Sequence, residues 1–381
     1  MSESGSTPRA IEKIVVLGGA GQVGEWVTRD LAARGTIDEV VLADINLERA
    51  EAIASDLKTQ DCPVTIVDVA DREVLQRACA GASLVMDCTS FGSSEGVELA
   101  TTVRSAYADL VSNRTPDELA RLEAGQITTI TGLGVSPGLA AVLARHASEA
   151  FDVFEEFHVY FVSIRPPAPT RGGLDTITWE LGSQVENRGY FLNGRWLPTG
   201  PMEGSQRIDF GAPLGEQVVY VVPHPEPRDL PRAFPTLRHC SVKGTWQREL
   251  MDDFRVLHKY GLLQPDTLPQ TKETIWRNMG GQRLSYEGVG VAAGIIVEAA
   301  GLRDEQWITR RYNIGMPADW GVEAMSRVTG VCAAVGAELL ASESHPAPGL
   351  MVSESFYDPE EFLTILHARD SVRVTWEETP A

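Results

Sequence analysis

Two kinds of hydrophobic pattern alternate along the first third of the chain. Short β-branched runs at Lys13–Gly18 (KIVVLG), Glu39–Asp44 (EVVLAD), Val64–Val69 (VTIVDV) and Ser83–Ser90 (SLVMDCTS) lack polar alternation, which predicts strands buried on both faces. Between them the apolar residues fall at helical spacing: Val23, Trp26, Val27 and Leu31 ahead of Gly35, then LERAEAIASDL and DREVLQRACAG. YADLVSN and ITTITGLG (Ile127–Gly134), with a helix between them, extend the series. Strands alternating with helices of about ten residues mean βαβ units on a parallel sheet.

The texture changes after SPGLAAVLARHASEAF. Glu155–Ile164 (EEFHVYFVSI) is a longer alternating strand, followed by a Pro/Gly loop that includes Arg171, the stretch LDTITWELGSQVEN, a turn at LNGRW and the strand Glu216–Val222. Such strands with turn-rich links predict an open, largely antiparallel sheet in a second domain from about 138 to 344. Within it, Val289–Gly301 (VGVAAGIIVEAAG) is apolar enough to be read as a buried helix, and Trp320–Ala341 as a long helical stretch. Asp358 with Pro359 behind it predicts the capped start of a short amphipathic helix carrying Phe362, Leu363, Ile365 and Leu366. No internal repeat is evident.

The junction between the first strand and the first helix carries chemistry. GGAGQVG places Gly19, Gly21 and Gly24 as G-x-G-x-x-G, directly after a strand and opening a helix, the context this motif requires. One glycine permits the tight turn, the second lets backbone approach a pyrophosphate, and the third lets helix and strand pack closely. The helix start then offers N–H groups and a partial positive charge to phosphate. Asp44, closing the second strand twenty residues after Gly24, suits both ribose hydroxyls of the adenosine half and repels a 2′-phosphate. The cofactor expected is NAD, with NADP the alternative; Arg49, five residues on, softens that preference. The expected cofactor residues are Gly18, Gly19, Gly21, Gln22, Val23, Gly24, Asp44, Asp68, Val69, Cys88, Thr89 and Ser90. Asp68 reads equally as an adenine contact or as part of the N-cap region of the next helix, and Thr89 and Ser90 as ribose or pyrophosphate contacts or as plain loop. These features define a Rossmann domain over 12–137, after a polar tail at 1–11 without the apolar core of a secretory signal.

Composition narrows the partners. The 381-residue chain suits two domains. Its formal net charge of −20 repels phosphate backbones, so nucleic acid is not an expected partner. No apolar run approaches the roughly 20 residues that cross a bilayer, so no membrane association is expected. Cys62, Cys79, Cys88, Cys240 and Cys332 are odd in number and scattered, which fits reduced thiols in a cytoplasmic protein. No His, Cys and carboxylate spacing suggests a metal.

GGAGQVG, ADINLERA and TGLGVSPGLAAVLARHA together resemble the saccharopine dehydrogenase-like family, and PHPEPRDLPRAFPTL is similar to an H-x-E-P-x-x-L-P-R signature of many members, through His224, Glu226, Leu230, Pro231 and Arg232. The resemblance spans about 12–370 and is thin over 266–330. It implies an N-terminal Rossmann domain joined through Gly134–Gly138 to an α/β substrate domain with a mixed, mainly antiparallel sheet, with the chain end (345–381) returning to the Rossmann domain. It also implies NAD(P)-dependent oxidation or formation of a C–N bond in an amino acid or opine-like substrate, closest in layout to the lysine 6-dehydrogenase branch. That branch carries a small Ser/Gly-rich segment where this chain has PHPEP, which puts lysine itself in doubt. Alternatives are a carboxynorspermidine- or homospermidine-type condensing synthase and a non-catalytic NAD(P)-binding sensor. A short-chain reductase needs Tyr-x-x-x-Lys, but Val111 stands four residues after Tyr107.

Hydride loss from carbon beside nitrogen needs a neutral amine, so a general base of near-neutral pKa is expected. His224, stiffened between two prolines at a strand end, is the candidate among seven histidines, with Glu226 to orient it or to hold a substrate amine. For the substrate carboxylate the candidates are Arg232 and Arg171, with Arg238 and Lys243 behind them. Tyr160, sharing a strand face with His158, is a pocket candidate; Trp179 and Asp175 are weaker ones. The oligomer expected by default is a homodimer.

Overall fold

The computed structural model describes residues 11–58, 60, 62–89, 94–112, 114–164, 171–183, 188–279, 292–343, 347–369 and 371–380. They divide into two compact units, residues 1–134 with 329–356 and residues 135–328 with 357–381. Along the chain the elements begin β1 (Ile14–Leu17), α1 (Gly24–Ala32), β2 (Val40–Asp44), α2 (Leu47–Asp56), β3 (Val64–Asp68), α3 (Arg72–Cys79), β4 (Leu84–Asp87), α4 (Glu95–Val103), β5 (Ala106–Asp109), α5 (Pro116–Ala124) and β6 (Thr128–Ile130). They continue with α6 (Leu139–Ser148), β7 (Val153–Ile164), α7 (Arg171–Leu181), β8 (Gly189–Leu192), β9 (Arg195–Pro198), β10 (Gln206–Asp209), β11 (Glu216–Val221), α8 (Glu226–Ala233) and β12 (His239–Trp246). The remainder is α9 (Arg248–Lys259), α10 (Leu268–Met279), β13 (Ala292–Arg303), β14 (Gln306–Gly315), α11 (Ala324–Ser342), β15 (Gly349–Met351), α12 (Ser353–Phe356), α13 (Pro359–His367) and β16 (Arg373–Pro380).

The first unit is a seven-stranded sheet in the order β3-β2-β1-β4-β5-β6-β15, with every neighbouring pair parallel. All four residues of β1 are buried, as a central strand of apolar β-branched residues must be. The helices start where the sequence supplies caps: Asn46 accepts from the Arg49 N–H, Asp71 from the Val74 N–H, and Thr115 with Glu118 closes a reciprocal box behind Pro116. Val15, Leu17, Val41, Val85, Val97 and Tyr107 belong to one buried cluster on this sheet. Strand order reverses between β1 and β4, so a crevice opens beyond their carboxyl ends.

The second unit is a mixed sheet along the path β10-β11-β12-β7-β13-β14-β16, with β8 beside β12 and β9 beside β8. Among the described residues only β7 and β12 pair in parallel; the other ladders are antiparallel. The expected α/β class with a mixed, mainly antiparallel second sheet is therefore what the chain forms.

Four readings change. The segment taken as a buried helix supplies β13, twelve residues between β7 and β14. A short apolar run buried on both faces has no period to separate helix from strand, and its β-branched Ile295, Ile296 and Val297 tip it to strand. A bulge at Ala300/Gly301 requires glycine, because a Cβ there would meet the Val153 carbonyl at 2.1 Å. Arg171 is not in a loop; it opens α7. The span Ala318–Ser342 is long and apolar enough to cross a bilayer by composition, contrary to the expectation, yet 67% of its most apolar window is buried within the protein, as in a core helix. The segment 345–381 divides between the units: β15 pairs with β6 in the first, while β16 pairs with β14 in the second.

Candidate functional site

In the first unit, the chain leaves β1 through Gly18 in the left-handed region (φ +76°), with the Gly18 and Gly19 N–H groups donating to the Ala43 carbonyl at 2.8 and 3.3 Å. A Cβ on Gly24 would lie 2.1 Å from the Gly18 carbonyl oxygen, one on Gly19 would lie 2.9 Å from the Leu42 side chain, and one on Gly18 would press on the Cys88–Thr89 backbone at 3.1–3.2 Å. These contacts give each glycine its reason, and they draw the turn against the residues that follow β4. No side chain caps the start of α1, so Gln22 and Val23 lead into a helix end whose dipole faces the turn. The turn is thus a Cβ-free cradle at a topological switch point, which fits a dinucleotide pyrophosphate.

Asp44 is 9% exposed and braces this turn, its two oxygens accepting from the Ala20 N–H at 2.9 Å and the Asn46 N–H at 2.8 Å. A carboxylate keeps further lone pairs for ribose hydroxyls. Asp68 accepts from the Ala70 N–H at 2.8 Å, and it is Asp71 that caps α3. The Val69 N–H lies against the Asp44 carbonyl at 3.4 Å. Thr89 is pinned to Asp87 through both its N–H (2.9 Å) and its hydroxyl (2.6 Å), and the Cys88 N–H donates to Leu17. Ser90 lies outside the described residues.

Beneath Thr89 is a buried charge network that the sequence did not reveal. Asp87 and Asp109 end neighbouring strands, and the Tyr107 hydroxyl lies 3.1 and 3.2 Å from them. The Arg114 Nε donates to Asp109 at 2.6 Å, and a second guanidinium nitrogen stands 3.5 Å from Asp87. Asp109 also accepts the N–H groups of Val111, Ser112 and Gly132. Burial disfavours the Arg114 charge, but Asp109, Tyr107 and Asp87 outweigh it and raise its pKa; burial also raises Asp87 above the usual carboxylate range. Tyr107 is fully buried here, which removes the reductase reading a second time.

In the second unit, His224 and Glu226 sit where β11 gives way to α8, both buried. His224 Nδ1 is 3.3 Å from the Ser136 hydroxyl and 3.5 Å from Glu226, while Nε2 is 3.7 Å from Glu180 on α7. The Ser136 hydroxyl donates to Glu226 as well. Phe161 borders the imidazole, with ring centroids 6.1 Å apart, and Gly244 makes room for it, since a Cβ there would enter the Phe161 ring. Burial pulls the His224 pKa down, but the flanking carboxylates Glu180 and Glu226 outweigh it and push it up to about 9. Burial likewise pushes Glu226 up, and the adjacent imidazole more than reverses this, so Glu226 stays below the usual range. The near-neutral base expected from the sequence is therefore an imidazolium at neutral pH.

Arg188, preceding β8, is 2% exposed. One terminal nitrogen donates to the Glu180 and Trp179 carbonyls at 2.9 and 3.3 Å, and its Nε has no hydrogen-bond partner among the described residues. Among the described residues no carboxylate forms an ion pair with it, and burial lowers its pKa to about 10 despite the pull of Glu180. The expected carboxylate binders stand elsewhere. Arg232 is largely exposed on α8 and bonded to Asp229, and Arg171 is bonded to Glu273 and lies over the Trp276 ring. Tyr160 is 2% exposed in a cluster with Ile208, Val219 and Ile296, so it packs as core, with its hydroxyl near Gln206. Asp175 is paired with Lys272, and Lys243 with Gln206. Among the described residues no group of three or more His, Cys, Asp or Glu could hold a metal.

A doubly wound parallel sheet with a glycine turn at its switch point is a Rossmann-type dinucleotide-binding fold. Residues 14–129 match the family described as the saccharopine dehydrogenase NADP binding domain. The chain is 22% identical over 397 residues to carboxyaminopropylagmatine dehydrogenase of Synechocystis sp., covering 92% of this chain and 94% of that one. Among solved structures it resembles apo saccharopine dehydrogenase (L-Glu forming) of Saccharomyces cerevisiae, with a TM-score of 0.69 and 14% identity over 97% of this chain and 100% of the other. Residues 14–129 thus carry a saccharopine dehydrogenase-type nucleotide-binding domain, and over its length the chain is similar to dehydrogenases.

Proposed function

We propose that the protein is an NAD-linked dehydrogenase that oxidises the C–N bond of an amino-acid or opine-like substrate, or forms that bond in reverse. The observation that carries this reading is the buried His224 held between Glu180 and Glu226. When bound, the nicotinamide supplies the hydride acceptor; the residues around the glycine turn, with Asp44, Asp68 and Thr89, would hold the dinucleotide. The 3.7 Å separation of His224 Nε2 from Glu180 is longer than a hydrogen bond and leaves that nitrogen for the substrate amine. In oxidation His224 takes the amine proton, and Glu180 holds the positive charge that develops on nitrogen. Ser136 and Glu226 fix the ring from its other side. A base of pKa about 9 is matched to a secondary ammonium, whose proton a weaker base could not take.

Arg188 completes the reading as the anchor for a substrate carboxylate. Burying a guanidinium is costly, and a substrate carboxylate would meet it with charge-assisted hydrogen bonds. Arg188→Met is expected to raise KM for a carboxylate-bearing substrate by about 10–100-fold, as loss of one charged hydrogen bond implies. The same variant should leave the matching decarboxylated amine nearly unaffected, and Arg188→Lys should recover part of the loss. Equal losses for both substrates would reduce Arg188 to a cap on the carbonyls of α7.

The function itself is tested by following nicotinamide absorbance while amino acids, opines, diamines and their aldehyde partners are offered with NAD and NADP in both directions. Reduction of NAD by an amine bearing a carboxylate is the expected result. Dinucleotide binding with silence toward every candidate would move the assignment to a condensing synthase or to a sensor.

A further inference from the structure

The end of β2 is where the adenosine ribose is expected, and α2 begins three residues after Asp44. Arg49 lies in the first turn of α2, the kind of position from which an arginine forks a 2′-phosphate. Its guanidinium is already engaged: it is bonded to one oxygen of Glu25 on α1. The other Glu25 oxygen accepts from the Arg29 Nε at 2.8 Å, and Arg29 reaches Asp56 on α2 at 2.8 Å. Two carboxylates and two guanidiniums thus form a neutral chain between the helices. The Glu25 side chain is only 9% exposed, so losing Arg49 would leave a largely buried carboxylate short of one partner. A 2′-phosphate, by contrast, would meet the negative Asp44 and no uncompensated cation from this chain of charges.

Building on the NAD reading above, we infer that Glu25 is a specificity-determining residue, which sequesters Arg49 and so keeps the site selective for NAD over its 2′-phosphorylated form. Glu25 does not touch the dinucleotide; it acts through Arg49.

The test is equilibrium binding of NAD and NADP to the full chain, by calorimetry or tryptophan fluorescence, with circular dichroism to confirm folding. Glu25→Gln keeps the side-chain shape and an acceptor for Arg29 but releases Arg49, and NADP should tighten about tenfold relative to NAD. Arg49→Ala in the wild-type background should change neither affinity, and in the Glu25→Gln background it should abolish the gain. Glu25→Asp, which draws the carboxylate back, should shift the ratio in the same direction. An unchanged ratio in folded Glu25→Gln, or a loss of NADP affinity in Arg49→Ala alone, overturns the inference. Failure of the wild-type chain to bind either dinucleotide would instead overturn the underlying NAD reading.

Discussion

His224→Asn is expected to lower kcat for oxidation of the C–N bond by about 10²–10⁴-fold, the usual worth of a positioned general base, and to leave NAD affinity unchanged. The pH profile gives the sharper readout. In the oxidative direction the imidazole must be neutral to accept the amine proton, so the wild-type rate should climb as pH rises toward and through about 9. In the reductive direction the imidazolium must donate, so activity should hold below that pH and fall above it. Both limbs should vanish in His224→Asn. Glu226→Gln should move the apparent value downward, because it removes one of the carboxylates that hold the proton on the ring. Stability follows the same linkage: the folded-state pKa lies above the unfolded value near 6.5, so the contribution is fully present below about pH 6.5 and is lost as pH rises through about 9. A profile that keeps its shape in His224→Asn would remove His224 from the chemistry.

What the sequence displayed and what it hid divide along a physical line. The glycine turn, Asp44 and the βαβ order were legible because each depends on residues close in the chain: a strand, a turn without Cβ atoms, a helix start. His224 and Glu226 were legible as neighbours in one short motif. Glu180 and Ser136, which complete their cluster, lie 44 and 88 residues before His224, and only the sheet and helices of the second unit bring them together. Arg188 lies in none of the motifs the sequence displays, whereas Arg232 and Arg171 drew attention by position and are bonded to Asp229 and Glu273 on exposed surfaces. The misread of Val289–Gly301 has the same origin: burial on both faces erases the alternation that marks a strand, and its partners β7 and β14 cannot be seen locally. The convergence of Asp87 and Asp109 on Arg114 carries no local signal, because it depends on β4 and β5 being neighbours.

That convergence makes Arg114→Met the substitution with the largest expected cost in stability. The side chains of Asp87 and Asp109 are fully buried, that of Arg114 is 3% exposed, and the guanidinium lies 5.8 Å from the centre of the Tyr107 ring. Methionine fills much of the volume, so the loss is electrostatic: two carboxylates bridged by one hydroxyl remain, with no cation between them. Breaking a buried ion pair by removing one partner costs about 3–5 kcal/mol, a large part of an ordinary domain's stability. Tyr107→Phe, which removes only the bridging hydroxyl, should cost about 1 kcal/mol. The pH dependence separates charge from packing. Without Arg114 the folded state favours a protonated aspartate, so the raised carboxyl pKa contributes stability at low pH that is lost as pH rises through it. Denaturant titrations of Arg114→Met and wild type should therefore converge as pH falls, whereas a packing defect would give a constant difference. Asp87 also holds Thr89 beside the glycine turn, so weakening of the network should reach the cofactor site. Arg114→Met should bind NAD more weakly at pH 7 than wild type even where the variant remains folded, and Asp87→Asn, which keeps an acceptor for Thr89, should retain more of that affinity than Asp87→Ala.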